Sequence, residues 1–273
     1  MIGIIGAIAG DAIGVPYEFY QGENIKTKEF DLVKPESRVS DDTVHTIAVA
    51  DWLLHTNRSE QSLSNLILKY TQTYPGYGFG GMMFEKCIKE GKLEPYGSWG
   101  NGSAMRVSPV IWVSNSEEEC LELAEKSASV SHNHPEGIKG AQATALAGYL
   151  NKLEYPKDYI KEVIEKTFNY NLSRTLNEIR PNYKFYVSCQ ESVPESIICW
   201  LESNSYEDCI RNAISLGGDA DTMACIAGGI CNANPETQIS DELIMELFGK
   251  YERRLDGKMR DIINEFHEKY EMF

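Results

Sequence analysis

Apolar residues recur at helical spacing along nearly the whole chain. After Ser40-Asp41-Asp42-Thr43, residues Val44, Ile47, Ala48 and Leu54 keep that spacing, and after Asp219-Ala220-Asp221-Thr222, residues Met223, Ile226, Ala227 and Ile230 do the same. Further helical patterns cover 60–74, 81–91, 117–130, 137–153, 156–170, 190–203, 206–215, 240–251 and 256–269. Strand-like alternation is nearly absent; Lys184-Phe185-Tyr186-Val187 is the only short candidate. No repeat, low-complexity tract or Pro/Gly/Ser-rich boundary divides the chain. The pattern predicts an all-α protein, a compact orthogonal helical bundle built as one domain over residues 1–273.

Glycines refine this picture. Gly3, Gly6, Gly10 and Gly14 share one face of the first helix, which is expected to end near Pro16 with Glu18 just beyond. Glycine costs helix stability, so a glycine stripe implies close backbone contact with another element. Gly228-Gly229 predicts a similar contact for the helix after Asp221. Three loops mix glycine with aromatic or histidine residues: 74–81, 97–103 and 131–135. Such loops, entering helix N-termini, offer amides to phosphate oxygens, and their aromatics can stack on a base or sugar. Turns also favour glycine for purely local reasons. His132 and His134 invite a metal reading, but the third and fourth nitrogen or sulfur ligands of a zinc site are missing.

The two acidic runs carry the most chemistry. Each opens a helix, with Ser40 as N-cap of the first and Gly217-Gly218 as a flexible turn before the second. One carboxylate at a helix start is ordinary, because the macrodipole and free amides stabilise it. Two copies of the pattern, with four aspartates and flanking hydroxyls, are not. These are hard oxygen ligands suited to Mg²⁺, Mn²⁺ or Ca²⁺. If the fold joins the two helix starts, their like charges need cations between them, which makes a two-metal site the expectation.

A net charge of −15 over 273 residues argues against a general grip on nucleic acid. A phosphate-bearing ligand stays compatible where metals or local dipoles offset the repulsion. Seven cysteines, an odd count without a CxxC pair, lie partly inside apolar runs such as Ile197-Ile198-Cys199-Trp200, as reduced, buried thiols do. The apolar N-terminus lacks the basic flank of a signal peptide, and no stretch approaches the roughly 18 apolar residues of a membrane span. A cytoplasmic monomer that does not engage membranes is expected.

Taken in order, the motifs resemble the ADP-ribosylglycohydrolase family. The matching residues are Gly6-Ala7-Ile8-Ala9-Gly10-Asp11-Ala12-Ile13-Gly14 with Glu18, Ser40-Asp41-Asp42-Thr43, Gly100-Asn101-Gly102-Ser103-Ala104-Met105-Arg106-Val107, Ser131-His132, and Gly217-Gly218-Asp219-Ala220-Asp221-Thr222. The resemblance implies an all-α fold with two Mg²⁺ or Mn²⁺ ions that hydrolyses an ADP-ribosyl glycosidic bond. It implies Ser40, Asp41 and Asp42 as ligands of one metal and Asp219, Asp221 and Thr222 as ligands of the other, with Asp221 bridging. Glu18 matches a glutamate that gates the site in some members. Gly97, Ser98 and Trp99 match a loop, continuing into Gly100 and Asn101, that contacts the pyrophosphate and presents an aromatic ring to adenine. His132 matches a histidine lining the distal ribose in some members. Ser40 stands where many members have Thr, and either supplies a hydroxyl.

Asp41, Asp42 and Glu18 are the candidates for the carboxylate that stabilises oxocarbenium character or moves a proton. The expected partner is an ADP-ribosylated protein or small molecule, with the acceptor side open. Two other readings use the same residues: a metal-dependent nucleotide phosphohydrolase, and a non-catalytic ADP-ribose reader.

Overall fold

The computed structural model describes residues 3–18, 25–249 and 255–270. Met1 and Ile2 of the apolar N-terminal run, and the last two residues of the 240–251 pattern, lie outside that set. The described residues form fifteen α-helices and no sheet. The first three are α1 (Ile5–Glu18), α2 (Asp41–His55) and α3 (Glu60–Thr73); short α4 (Gly81–Phe84), α5 (Gly102–Met105) and α6 (Ser108–Val113) follow. Then come α7 (Glu117–Ser129), α8 (Pro135–Lys152), α9 (Lys157–Phe168), α10 (Leu176–Ile179), α11 (Cys189–Leu201), α12 (Tyr206–Ser215) and α13 (Ala220–Cys231). α14 (Asp241–Ile244) and α15 (Gly257–Tyr270) complete the chain. Wide turns at Glu85–Lys89 and Met245–Gly249 extend α4 and α14 to fill the helical patterns read from the sequence.

α1 and α13 form the centre. A Cβ at Gly10 would collide with the Ala224 carbonyl, one at Gly6 with the Asn232 side chain, and one at Gly14 with the Asp221 backbone. On the other side, a Cβ at Gly228 would lie 2.6 Å from the Gly6 carbonyl oxygen. Gly6, Gly10 and Gly14 therefore pack against α13, whereas Gly3 lies in the turn before α1 with φ 88° and not on the helix face; the seam presses the end of α1 against the first turn of α13. α1 runs through Pro16 to Glu18 instead of ending at the proline. Pro16 lies in the last turn, where its helical φ is compatible and only one backbone bond is lost. That extra turn delivers Glu18 to the start of α13.

The remaining helices wrap this pair. α8 packs on α5, α6, α7, α9, α11 and α13, while α2 packs on α3, α6 and α15. Buried apolar residues from Ile4 to Phe266 form one contiguous core. All seven cysteines are buried and unpaired. The segment Lys184–Val187 does not form a strand: a single antiparallel bridge, Gly100 with Ser188, joins this region to the 97–101 loop. With no third segment alongside, two backbone bonds are all it makes there, from Asn101 N–H to Val187 O (2.8 Å) and from Cys189 N–H to Trp99 O (2.9 Å). No helix among the described residues is long and apolar enough to cross a membrane.

Candidate active site and metal centre

The start of α2 is held by a buried carboxylate from α1. Ser40 caps the helix as expected, its hydroxyl accepting the Asp42 N–H at 3.2 Å. The same hydroxyl donates to Asp11 Oδ1 at 2.7 Å, while Asp11 Oδ2 accepts the Ser40 N–H at 2.9 Å and the Thr43 N–H at 3.2 Å. The Thr43 hydroxyl also donates to Oδ2. Four donors converge on one carboxylate, an arrangement suited to the positive end of a helix. Asp11 thereby clamps α2 onto α1 and aims Asp41 and Asp42. Sequence reasoning about ligands missed it; the only signal was its place in the Gly10-Asp11 block.

The two acidic helix starts do meet. Oxygens of Asp11, Asp42 and Asp221 lie within 4.8 Å of one another, and so do those of Glu18, Asp219 and Asp221. Asp221 belongs to both groups. The Thr222 hydroxyl lies 3.2 Å from both Asp42 oxygens, and Asn101 Nδ2 donates to Asp219 Oδ2 at 2.7 Å. Asp41 stands outside both groups, half-buried, and with Ser40 it lines the adjoining cavity. Gly217 and Gly218 take positive φ, 70° and 89°, which turns the chain sharply into Asp219.

Electrostatics follow from this crowding. Burial raises the carboxyl groups of Asp41, Asp42 and Asp221 well above the usual range, and neighbouring carboxylates, Asp11 for the first two and Asp42 for the third, raise them further. Burial also raises Asp11 and Asp219, against the hydrogen bonds that favour their charged forms. Glu18 is pushed up to about 7 by burial and then by the charge of Asp219. Such a set fits divalent cations: its donors are all oxygen, its charges repel, and Asp221 faces both clusters. Asp11, already engaged by four donors, fits an anchor better than a ligand.

A cavity of about 570 Å³ opens beside these carboxylates. Glu18, Ser40, Asp41, Asp219, Asp221 and Thr222 line its acidic end. Ser98, Gly100, Asn101 and Gly102 form another wall, and His45, Arg106 and His132 reach it from the interior. Gly97 and Trp99 are not part of the lining. Trp99 is 52% exposed, with its ring centroid 5.4 Å from that of His134. Phe185 lines the cavity and is 46% exposed. Sequence reasoning saw Phe185 only as part of a strand candidate. His134 caps α8, its ring accepting the Glu136 N–H at 3.2 Å, and neither it nor His132 joins an acidic group.

The chain is thus an all-α protein whose carboxylates meet in two overlapping groups at one end of a cavity. The chain belongs to the ADP-ribosylglycohydrolase family, which matches over residues 2–269. At the family level this makes it a glycohydrolase. It is similar to ADP-ribosylhydrolase ARH3 of Danio rerio, with 24% identity over 85% of this chain and 81% of that protein. The Mus musculus ADP-ribosylhydrolase ARH3 is 25% identical over 84% of this chain and 82% of its own. An uncharacterized protein of Archaeoglobus fulgidus is 27% identical over 84% of this chain and 85% of its own. A solved structure of an ADP-ribosylglycohydrolase-related protein complex shares the fold, with a TM-score of 0.70 over 97% of this chain and 95% of that one at 16% identity.

Proposed function

We propose that this protein hydrolyses an ADP-ribosyl glycosidic bond, releasing ADP-ribose from a modified side chain or a related small acceptor. The observation that carries the reading is Asp221, shared by two carboxylate groups at the end of a cleft large enough for a nucleotide. Ser40, Asp41, Asp42, Asp219, Asp221 and Thr222 would hold two Mg²⁺ or Mn²⁺ ions. Such ions, when bound, supply Lewis acidity toward ribose hydroxyls and a water of lowered pKa. Asn101 steers Asp219 through its amide, and Thr222 ties α13 to Asp42 across the helix gap. Glu18 and Asp41 line the cavity in which oxocarbenium charge would build, with Asp42 buried behind them, and a carboxylate there would stabilise that charge or move a proton. Ser98, Gly100 and Asn101 provide the wall for the pyrophosphate, and His132 the contact to the distal ribose. We also read residues 1–273 as one domain, a reading supported by the contiguous core.

The decisive assay presents a panel of ADP-ribosylated acceptors (arginine, serine, a nucleobase, a free small molecule) with Mg²⁺ or Mn²⁺ and identifies products by mass spectrometry. Intact ADP-ribose from at least one acceptor, abolished by a chelator, is the expected result. AMP as the product would favour the phosphohydrolase reading. Tight ADP-ribose binding without release from any acceptor would leave only the reader.

The aromatic rim yields a separate expectation. If Trp99 stacks on adenine, Trp99→Ala weakens ADP-ribose binding by about 1–3 kcal/mol while leaving the fold intact, since the ring packs little against the core. The fluorescence response to ADP-ribose should largely vanish in Trp99→Phe while calorimetric binding persists. A comparable loss in Phe185→Ala with none in Trp99→Ala would move the stacking role to Phe185.

A further inference from the structure

We propose that Arg106, acting through Ser131, fixes His132 as an Nε2–H hydrogen-bond donor facing the cavity, so that His132 recognises an acceptor oxygen of a sugar or phosphate and cannot act as a base. Arg106 is fully buried, and its Nη2 donates to the Ser127 carbonyl and, at 3.0 Å, to Ser131 Oγ. Ser131 Oγ lies 2.7 Å from His132 Nδ1. Ser131 is also fully buried, and its hydroxyl has no other partner among the described residues. With the guanidinium donating to the oxygen, the hydroxyl hydrogen has one acceptor to turn to, His132 Nδ1. The opposite tautomer would aim an imidazole N–H at the same oxygen and leave a buried hydroxyl hydrogen without an acceptor, which folded proteins rarely tolerate. The imidazole proton therefore belongs on Nε2.

The surroundings act in the same direction. His132 is 5% exposed, and a Cβ at Gly102 would lie 2.9 Å from its Nε2, so a glycine at that point of the wall leaves the nitrogen reachable. Among the described residues, Nε2 has no hydrogen-bond partner. The Arg106 charge, His45 and the Tyr96 ring, 6.1 Å from the imidazole, are the polar and charged groups facing it. Burial and the Arg106 charge both disfavour an imidazolium here. Among the described residues, Arg106 Nε and Nη1 have no hydrogen-bond partner. The ligand part of this inference rests on the proposed function; the tautomer does not.

Long-range ¹H–¹⁵N correlation on histidine-labelled protein tests the tautomer without ligand. The chain has five histidines, and the His132 signals are assigned by their loss in His132→Gln. The expected spectrum at neutral pH shows Nε2 protonated and Nδ1 bare. In Ser131→Ala, which removes one oxygen and little volume, averaged tautomers are expected, together with about tenfold weaker ADP-ribose binding and unchanged circular dichroism. Ser131→Thr keeps the hydroxyl and should restore both. A proton on Nδ1, an imidazolium at neutral pH, or an unchanged Nε2–H form in Ser131→Ala overturns the proposal. Arg106→Lys, with a shorter reach to Ser131, should also give mixed tautomers; an unchanged spectrum there overturns the part assigned to Arg106. Wild-type protein that shows the Nε2–H form yet binds no ADP-ribose would refute the ADP-ribose reading and leave the tautomer standing.

Discussion

Asp221→Asn is expected to lower turnover of the ADP-ribosylated substrate by about three orders of magnitude or more, since Lewis-acid stabilisation of this kind is worth several kcal/mol. The substitution keeps size and one oxygen but removes the only carboxylate common to both acidic groups. The same variant should be more stable than wild type in chelator. Asp221 is buried among Asp42, Asp219 and Glu18, each of which raises its carboxyl further. A neutral amide relieves that repulsion, by about 1 kcal/mol or more. The pair of measurements is turnover with Mn²⁺ and a thermal melt with EDTA. A misfolded variant would lose both activity and stability, whereas the metal-centre reading requires them to move in opposite directions. An unchanged rate would end the argument from paired aspartates.

The metal-free protein is expected to lose stability as pH rises from about 6.5 to 8, and added Mg²⁺ or Mn²⁺ to reverse the trend. For an acid whose folded pKa is raised, the native state holds a proton that the unfolded state has released. Stability contributed by that proton is present at low pH and lost as pH climbs through the folded value. Glu18, pushed up to about 7, titrates inside this window, and Asp41, Asp42 and Asp221 are raised well above their usual range. His45 and His132 are held well below theirs, so they oppose the trend only in more acidic solution, where the unfolded chain would protonate them. The window above about 6.5 therefore isolates the carboxylates. Cations bind the deprotonated cluster, so their stabilisation should grow across the same window, reaching about 2.7 kcal/mol at a hundredfold excess over Kd. Melting curves with EDTA or Mn²⁺ at three pH values suffice. A flat or rising metal-free curve, or a metal effect independent of pH, would contradict a buried, cation-seeking cluster.

Much of this molecule was legible before any coordinates. Helical periodicity located the long helices, because an amphipathic or fully apolar run satisfies its own backbone and reports its period locally. The glycine stripes at Gly6, Gly10 and Gly14 and at Gly228 were read correctly as close contacts, since a missing side chain is visible in sequence. The helix-start aspartates could be singled out because hard ligands in duplicate have few other uses. Other features depend on residues distant in the chain. Asp11 becomes a clamp only when α2 lays its first amides against it, across 29 positions from Ser40. Asp221 faces both acidic groups only because Gly14 lets α1 approach the start of α13. The turn after Pro16 stays helical and carries Glu18 to that start, which a local rule about proline does not foresee. Phe185 and Trp99 exchange prominence at the cavity mouth because the 97–101 loop pairs with the segment before α11. The direction of the His132 proton rests on Arg106, 26 residues earlier in sequence and in contact only through Ser131. Sequence alone determined which elements form and which chemistry is available; long-range packing decided which side chains share a cavity and which atoms carry the charge and the protons.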